Sequence, residues 1–133
     1  MIKALIKYRL EQAEESLSEA QWLLDGGKSK RSVINRAYYA MFYAVLALNL
    51  TIGKSGKKHM GMIALFDQYF VKPGKFAKEF SIYLHKGFEL RQMSDYQELF
   101  EISQRDVEEL LRRAKRFVEK AKEYLEESNL IDS

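Results

Sequence analysis

The chain has no cysteine, one proline and only two histidines among 133 residues. Without cysteine, neither disulfides nor thiolate metal ligation can contribute. With one proline and seven glycines there is little punctuation, so the elements should be few and long. No apolar run reaches the roughly 18–20 residues that a bilayer span needs. The first segment, MIKALIKYRLEQAEESL, is charged too often for a signal peptide. These absences lead to the expectation of one cytoplasmic domain over residues 1–133 with no membrane association. A further absence is local. Between Gly26 and Phe66 there is no Asp or Glu, whereas Lys28, Lys30, Arg31, Arg36, Lys54, Lys57 and Lys58 all fall there. The net charge of +3 therefore hides a segregated positive field of the kind that attracts phosphate or nucleic acid. The alternative is that these lysines merely solubilise two loops.

What is present is helical patterning. The composition is 47% hydrophobic and 31% charged, as in a soluble folded chain. Ile6, Leu10, Ala13, Leu17, Ala20 and Leu24 make a heptad-like seam on a helix over Ile2–Asp25. Gly26-Gly27 stops it. Ser29 or Ser32 can cap a second helix, which runs out near Asn49–Gly53. A third is expected from about Lys58 to Val71, with Met62, Leu65, Phe66, Tyr69 and Phe70 inward, ended by Lys72-Pro73-Gly74-Lys75. A fourth spans about Ala77–Asp95, with Phe80, Tyr83, Leu84, Phe88 and Leu90 on its apolar face. Residues 96–102 read as a connector. Ser103 then opens a last helix, a capping box with Asp106 in place of Glu, which carries a second seam of Val107, Leu111, Ala114, Val118, Ala121 and Leu125. The two seams suggest that the first and last helices pack along each other at a shallow angle. The fold class expected is all-α, a bundle of about five helices.

The second helix, SVINRAYYAMFYAVLALNL, is apolar around most of its circumference and belongs at the centre of the bundle. One arc differs. Ser32, Asn35, Arg36, Tyr39 and Tyr43 fall within about 100° of each other at helical spacing. They form either a satisfied polar seam or a binding wall. On the fourth helix, Arg91 projects from the apolar face, and a guanidinium there must be paired or face a groove. Asp95, one turn on, is the expected partner. His59 stands where the third helix begins, next to Lys57 and Lys58. Helix N-termini favour anions, but a histidine so placed is by itself more often a bystander. His85 falls away from the apolar face and should be exposed.

Other chemistries are excluded. Gly53-Lys54-Ser55 lacks the glycine five residues earlier that a P-loop requires, position 48 being Leu. Glu14, Glu15 and Glu19 have no accompanying Glu-x-x-His of a di-iron bundle. No metal site and no cofactor is expected.

Asn35-Arg-Ala-Tyr-Tyr-Ala-Met-Phe-Tyr43, Lys58-His-Met-Gly61, Phe70-Val-Lys-Pro-Gly74 and Phe88-Glu-Leu-Arg-Gln-Met-Ser-Asp-Tyr96 follow in the order of the HEPN (higher eukaryotes and prokaryotes nucleotide-binding) family. The chain resembles the small stand-alone prokaryotic branch. The resemblance implies an up-and-down helical bundle, like the helical domain of nucleotidyltransferases, and a homodimer. It also implies a separate minimal nucleotidyltransferase as partner in a toxin–antitoxin pair. Many members are metal-independent RNases that use an Arg followed, after four to six residues, by a His. Arg91 matches that Arg, but positions 96–98 are Tyr, Gln and Glu, and no His follows His85.

Two functional readings follow. In the first, Asn35, Arg36, Tyr39, Tyr43, His59, Arg91 and Asp95 line a non-catalytic site or interface for a nucleotide, an RNA segment or the partner protein. Arginines would meet phosphate and tyrosines would offer stacking faces. In the second, the protein is an RNase toxin in which Arg91 works with Asp95 or Tyr96, although a phenol is a poor proton shuttle at neutral pH.

Overall fold

A computed structural model describes residues 1–56, 58–96 and 101–132. Lys57 and most of the expected connector, residues 97–100, lie outside the described residues. Among the described residues five α-helices occur in order: α1 (Ile2–Asp25), α2 (Lys30–Leu50), α3 (His59–Phe66), α4 (Lys78–Ser94) and α5 (Gln104–Glu127), with a π-helical turn at Asp67–Val71 between α3 and α4. There is no strand among the described residues, so the all-α expectation holds. Among the described residues no helix is long and apolar enough to cross a membrane.

The helix boundaries follow from local chemistry. Ser29 Oγ accepts the Ser32 backbone N–H at 3.2 Å, and Ser103 Oγ accepts that of Asp106 at 3.1 Å. Each satisfies one of the donors that a helix start leaves orphaned. Gly27 takes φ +66° immediately after α1, a conformation that costs glycine little. Gly74, at φ +87°, does the same after Pro73, and the chain reverses there into α4.

α2 is the axis of the molecule. It packs on α1, α3, α4 and α5 alike, and its contact with α1 is the most extensive in the protein. Fourteen of its residues are buried, among them Val33, Ile34, Tyr38, Met41, Val45 and Leu48. The seam of α1 buries Ile6, Leu10, Ala13 and Ala20, and all six seam positions of α5 are buried. Both seams face mainly α2, and the direct α1–α5 contact is smaller. The expected α1–α5 pair is therefore a corrected picture. The two helices flank the central one and meet along an edge, where Lys122 Nζ reaches Glu14 Oε2 at 3.5 Å.

The expected third helix is two elements. After Phe66 the ladder widens into the π turn, and Tyr69 is exposed instead of inward while Ile63 joins the core. Phe66, Phe70, Phe76, Phe80 and Phe117 form a chain of ring contacts 5.3–6.5 Å apart, an apolar aromatic core with edge-on and tilted geometries and one stacked pair, Phe66 with Phe70. Asn49, fully buried near the end of α2, donates Nδ2–H to the Met62 carbonyl at 3.0 Å and so anchors α3 against α2.

Candidate functional site

A second aromatic cluster is different in kind, because it carries polar tips and cations. Its centre is Tyr38, a fully buried residue of α2 whose Oη lies 2.8 Å from Nδ1 of His59. The His59 ring stacks on Phe42 with centroids 4.1 Å apart and planes 4° from parallel. Tyr39 meets the same imidazole edge-on at 5.5 Å, and Phe88 of α4 closes the group at 6.4 Å. The histidine at the start of α3 is thus half-buried and bonded, not a free surface side chain. Burial, and secondarily the Arg91 charge, hold its pKa below the usual histidine value. Burial also pushes the Tyr38 phenol well above the ordinary tyrosine range, so it keeps its proton at any physiological pH.

Two guanidiniums reach this cluster. Arg91 of α4 places Cζ 5.8 Å from the Tyr38 ring centroid and 5.3 Å from that of Tyr39. Arg36 of α2 places its Cζ 5.4 Å from the Tyr39 ring. Cations sit favourably against aromatic faces in this way, and here one tyrosine ring has two. Asn35 Oδ1 accepts both Nε–H and Nη2–H of Arg36, at 3.1 and 2.9 Å, which fixes the direction of that side chain. Tyr43 follows one turn along, 5.8 Å from Tyr39. Ser32, Asn35, Arg36, Tyr39 and Tyr43 are all partly exposed, so the stripe on the central helix is not sealed within the chain.

Asp95 is placed otherwise than expected. It pairs with Arg31, Oδ1 to Nη2 at 3.1 Å, both side chains being about half exposed, and no Arg91–Asp95 bridge is found. Arg91 sits over the rings of α2 instead of turning along its own helix. Asp95 and Tyr96 still border an open depression at the end of α4 together with Arg91, and Tyr96 is exposed. His85 is exposed, as expected, with a partner that the sequence did not suggest, Asp67 Oδ2 at 2.6 Å.

The structure therefore unites Asn35, Arg36, Tyr39, Tyr43, His59 and Arg91, and leaves Asp95 at the margin. It adds Tyr38, Phe42 and Phe88. Helical angles alone could have found Tyr38, which lies about 60° to one side of Asn35, but its neighbours on the wheel are apolar. The acid-free stretch also acquires acids in space: Glu19 of α1 approaches Arg36 at 3.8 Å, and Asp95 takes Arg31.

These features define a class: an all-helical bundle with a half-exposed cationic and aromatic cluster on its central helix, completed by the start of α3 and by α4. The chain belongs to the HEPN family, whose domain model matches residues 6–125. It is 39% identical over 125 residues to a UPF0332 protein of Thermotoga maritima, covering 92% of each chain. It is 35% identical over 122 residues to the protein named "Putative toxin MJ0142" of Methanocaldococcus jannaschii, covering 92% of this chain and 82% of that one. A second protein of that organism, "Putative toxin MJ0605", is 35% identical over 126 residues, with 95% and 92% covered.

Proposed function

We propose that this HEPN domain is a binding module without catalytic activity of its own, and that Arg36, Tyr39, His59 and Arg91 border a recess that takes the phosphate and base of a nucleotide or of a short RNA segment. One observation carries this reading: Arg36 and Arg91, from two different helices, converge on the half-exposed Tyr39. Guanidinium forks match phosphate oxygens bidentately. Guanidinium planes and phenol rings both accept a stacked base. The module acts as a homodimer beside a separate minimal nucleotidyltransferase in a toxin–antitoxin-like pair; the resemblance of the sequence to stand-alone members supports this, and two relatives named putative toxins support the toxin role alone. Calorimetric titration with AMP and with a short RNA at low salt tests the ligand part, and no heat from either removes it. Co-purification from the native host tests the partner.

A second reading is a metal-independent RNase toxin working through Arg91. A specific observation favours it: His59, distant in sequence, stands against the same two tyrosine rings as Arg91. It requires RNA cleavage that persists in EDTA and vanishes in Arg91→Ala. Asp95 supports it less, being engaged with Arg31.

A further inference from the structure

The Tyr38–His59 pair specifies which nitrogen of the histidine is protonated. Tyr38 is fully buried, and a phenol has a single proton to place. Among the described residues, its Oη has one hydrogen-bond partner, Nδ1 of His59 at 2.8 Å. If Nδ1 carried hydrogen, it would donate to Oη and the phenol proton would be left buried with no acceptor, which is costly. If Nδ1 is bare, Tyr38 donates to it and every atom of the pair is satisfied. The imidazole hydrogen then resides on Nε2. That atom is not among the buried unpaired polar atoms, and the ring retains partial exposure.

We propose that Tyr38 locks His59 as a neutral Nε2–H donor, and that this donor and the Arg91 guanidinium together hold a non-bridging phosphate oxygen of the ligand. This rests on the binding reading above and gives it a chemical address, the phosphoryl group. It also gives His59 a role other than proton acceptor, because the nitrogen available to a ligand already bears its hydrogen. The charged and titratable groups around the ring are Tyr38 and Tyr39 from α2, Arg91 from α4 and Lys58 beside it in the chain. Arg91 opposes a second positive charge on the imidazole, as does burial. Protonating Nδ1 would in addition break the Tyr38 donation. All three effects keep the ring neutral.

The test uses the full chain and two measurements. Nitrogen-15 spectra of the imidazole read the tautomer directly: the expected result is the neutral Nε2–H form above about pH 7, and an Nδ1–H form overturns the proposal. Titrations with AMP, adenosine, inorganic phosphate and a short RNA then compare wild type with His59→Gln and His59→Ala. Gln carries an amide N–H near the Nε2 position, so it should bind AMP within about threefold of wild type. Ala should weaken AMP roughly tenfold or more, the scale of a hydrogen bond to a charged group, and adenosine should lose most of the affinity. Phosphate binding alone as tightly as AMP would identify the free anion as the ligand, with the same donor pair. Equal AMP binding by wild type and His59→Ala overturns the donor role while the binding reading stands. Absence of binding by wild type to every probe overturns both. In Tyr38→Phe the lock is gone, so its AMP binding should gain on that of wild type, compared at each pH, as pH falls from about 7 to 5.5; the phosphate's own titration at about pH 6 is common to both proteins.

Discussion

Arg91 carries its charge against two tyrosine rings, and that geometry sets the cost of removing it. A buried ion pair broken from one side costs about 3–5 kcal/mol, whereas a cation at a partly open aromatic site contributes about 0.5–1 kcal/mol. Arg91→Ala should therefore lower stability in urea denaturation by about 1 kcal/mol while abolishing ligand binding. A loss of about 4 kcal/mol, the scale of a broken buried ion pair, would contradict this ring-contact account of Arg91. Asp95→Ala removes an exposed pair with Arg31 and should cost about 1 kcal/mol or less. His59 makes a prediction of a different sort. Its pKa in the folded protein is depressed relative to about 6.5 in the unfolded chain, so the unfolded state takes up the proton first as pH falls. Its contribution to stability is complete above about pH 7 and is progressively lost on acidification below about 6.5. Unfolding free energies measured between pH 7.5 and 5 should accordingly fall more steeply for wild type than for His59→Gln, and parallel curves would contradict the shift.

At the scale of elements, the site depends on how closely α4 approaches α2, and Gly87 sets that approach. A Cβ built there would lie 2.6 Å from Met41 Cε, 3.4 Å from Leu110 Cδ1 and 3.5 Å from Tyr38 Cδ1. Alanine gains up to about 1 kcal/mol of helix propensity and can displace the end of a flexible methionine, so Gly87→Ala should be close to neutral. Valine has no such escape and overpacks a filled core, at about 1–3 kcal/mol. Gly87→Val should thus lower stability by that amount and, by pushing on the Tyr38 ring, weaken AMP binding as well; thermal melts and calorimetry report the two effects separately. The helices themselves were readable from the sequence, because apolar spacing and the serine caps act locally. The π turn was not, since Phe66 and Phe70 continue a helical spacing and only packing decides that the ladder widens. The seams on α1 and α5 were also found, but a seam does not name its partner. Both bury against α2, the element apolar on nearly every side.

At the scale of the whole molecule, charge and place separate what sequence could reveal from what it could not. Arg36, Tyr39, Tyr43 and Arg91 stand out by residue type on apolar helices, so helical geometry sufficed to nominate them. Tyr38 and His59 meet across 21 positions, and no local rule joins them. The acid-free run from Gly26 to Phe66 suggested a broad positive field, yet folding brings Glu19 to Arg36 and Asp95 to Arg31. Two of the seven basic residues of that stretch, Arg31 and Arg36, thus have acid neighbours at the surface, so the charge a ligand meets depends on which groups it touches. This has a quantitative consequence for RNA. The logarithm of affinity falls with the logarithm of salt concentration at about −0.7 per phosphate neutralised on a single strand. If the recess presents two cations, Arg36 and Arg91, the slope should be about −1.4. If all seven basic residues of the acid-free stretch took part, it would approach about −5. A fluorescence titration of a short single-stranded RNA between about 50 and 200 mM salt, the range over which such slopes are read, distinguishes the two. Arg36→Ala should then shorten the slope by about 0.7, whereas Lys28→Ala, on the loop before α2, should leave it unchanged. A steep slope carried equally by loop lysines would make the surface a diffuse polyanion binder and would take the recess out of the account.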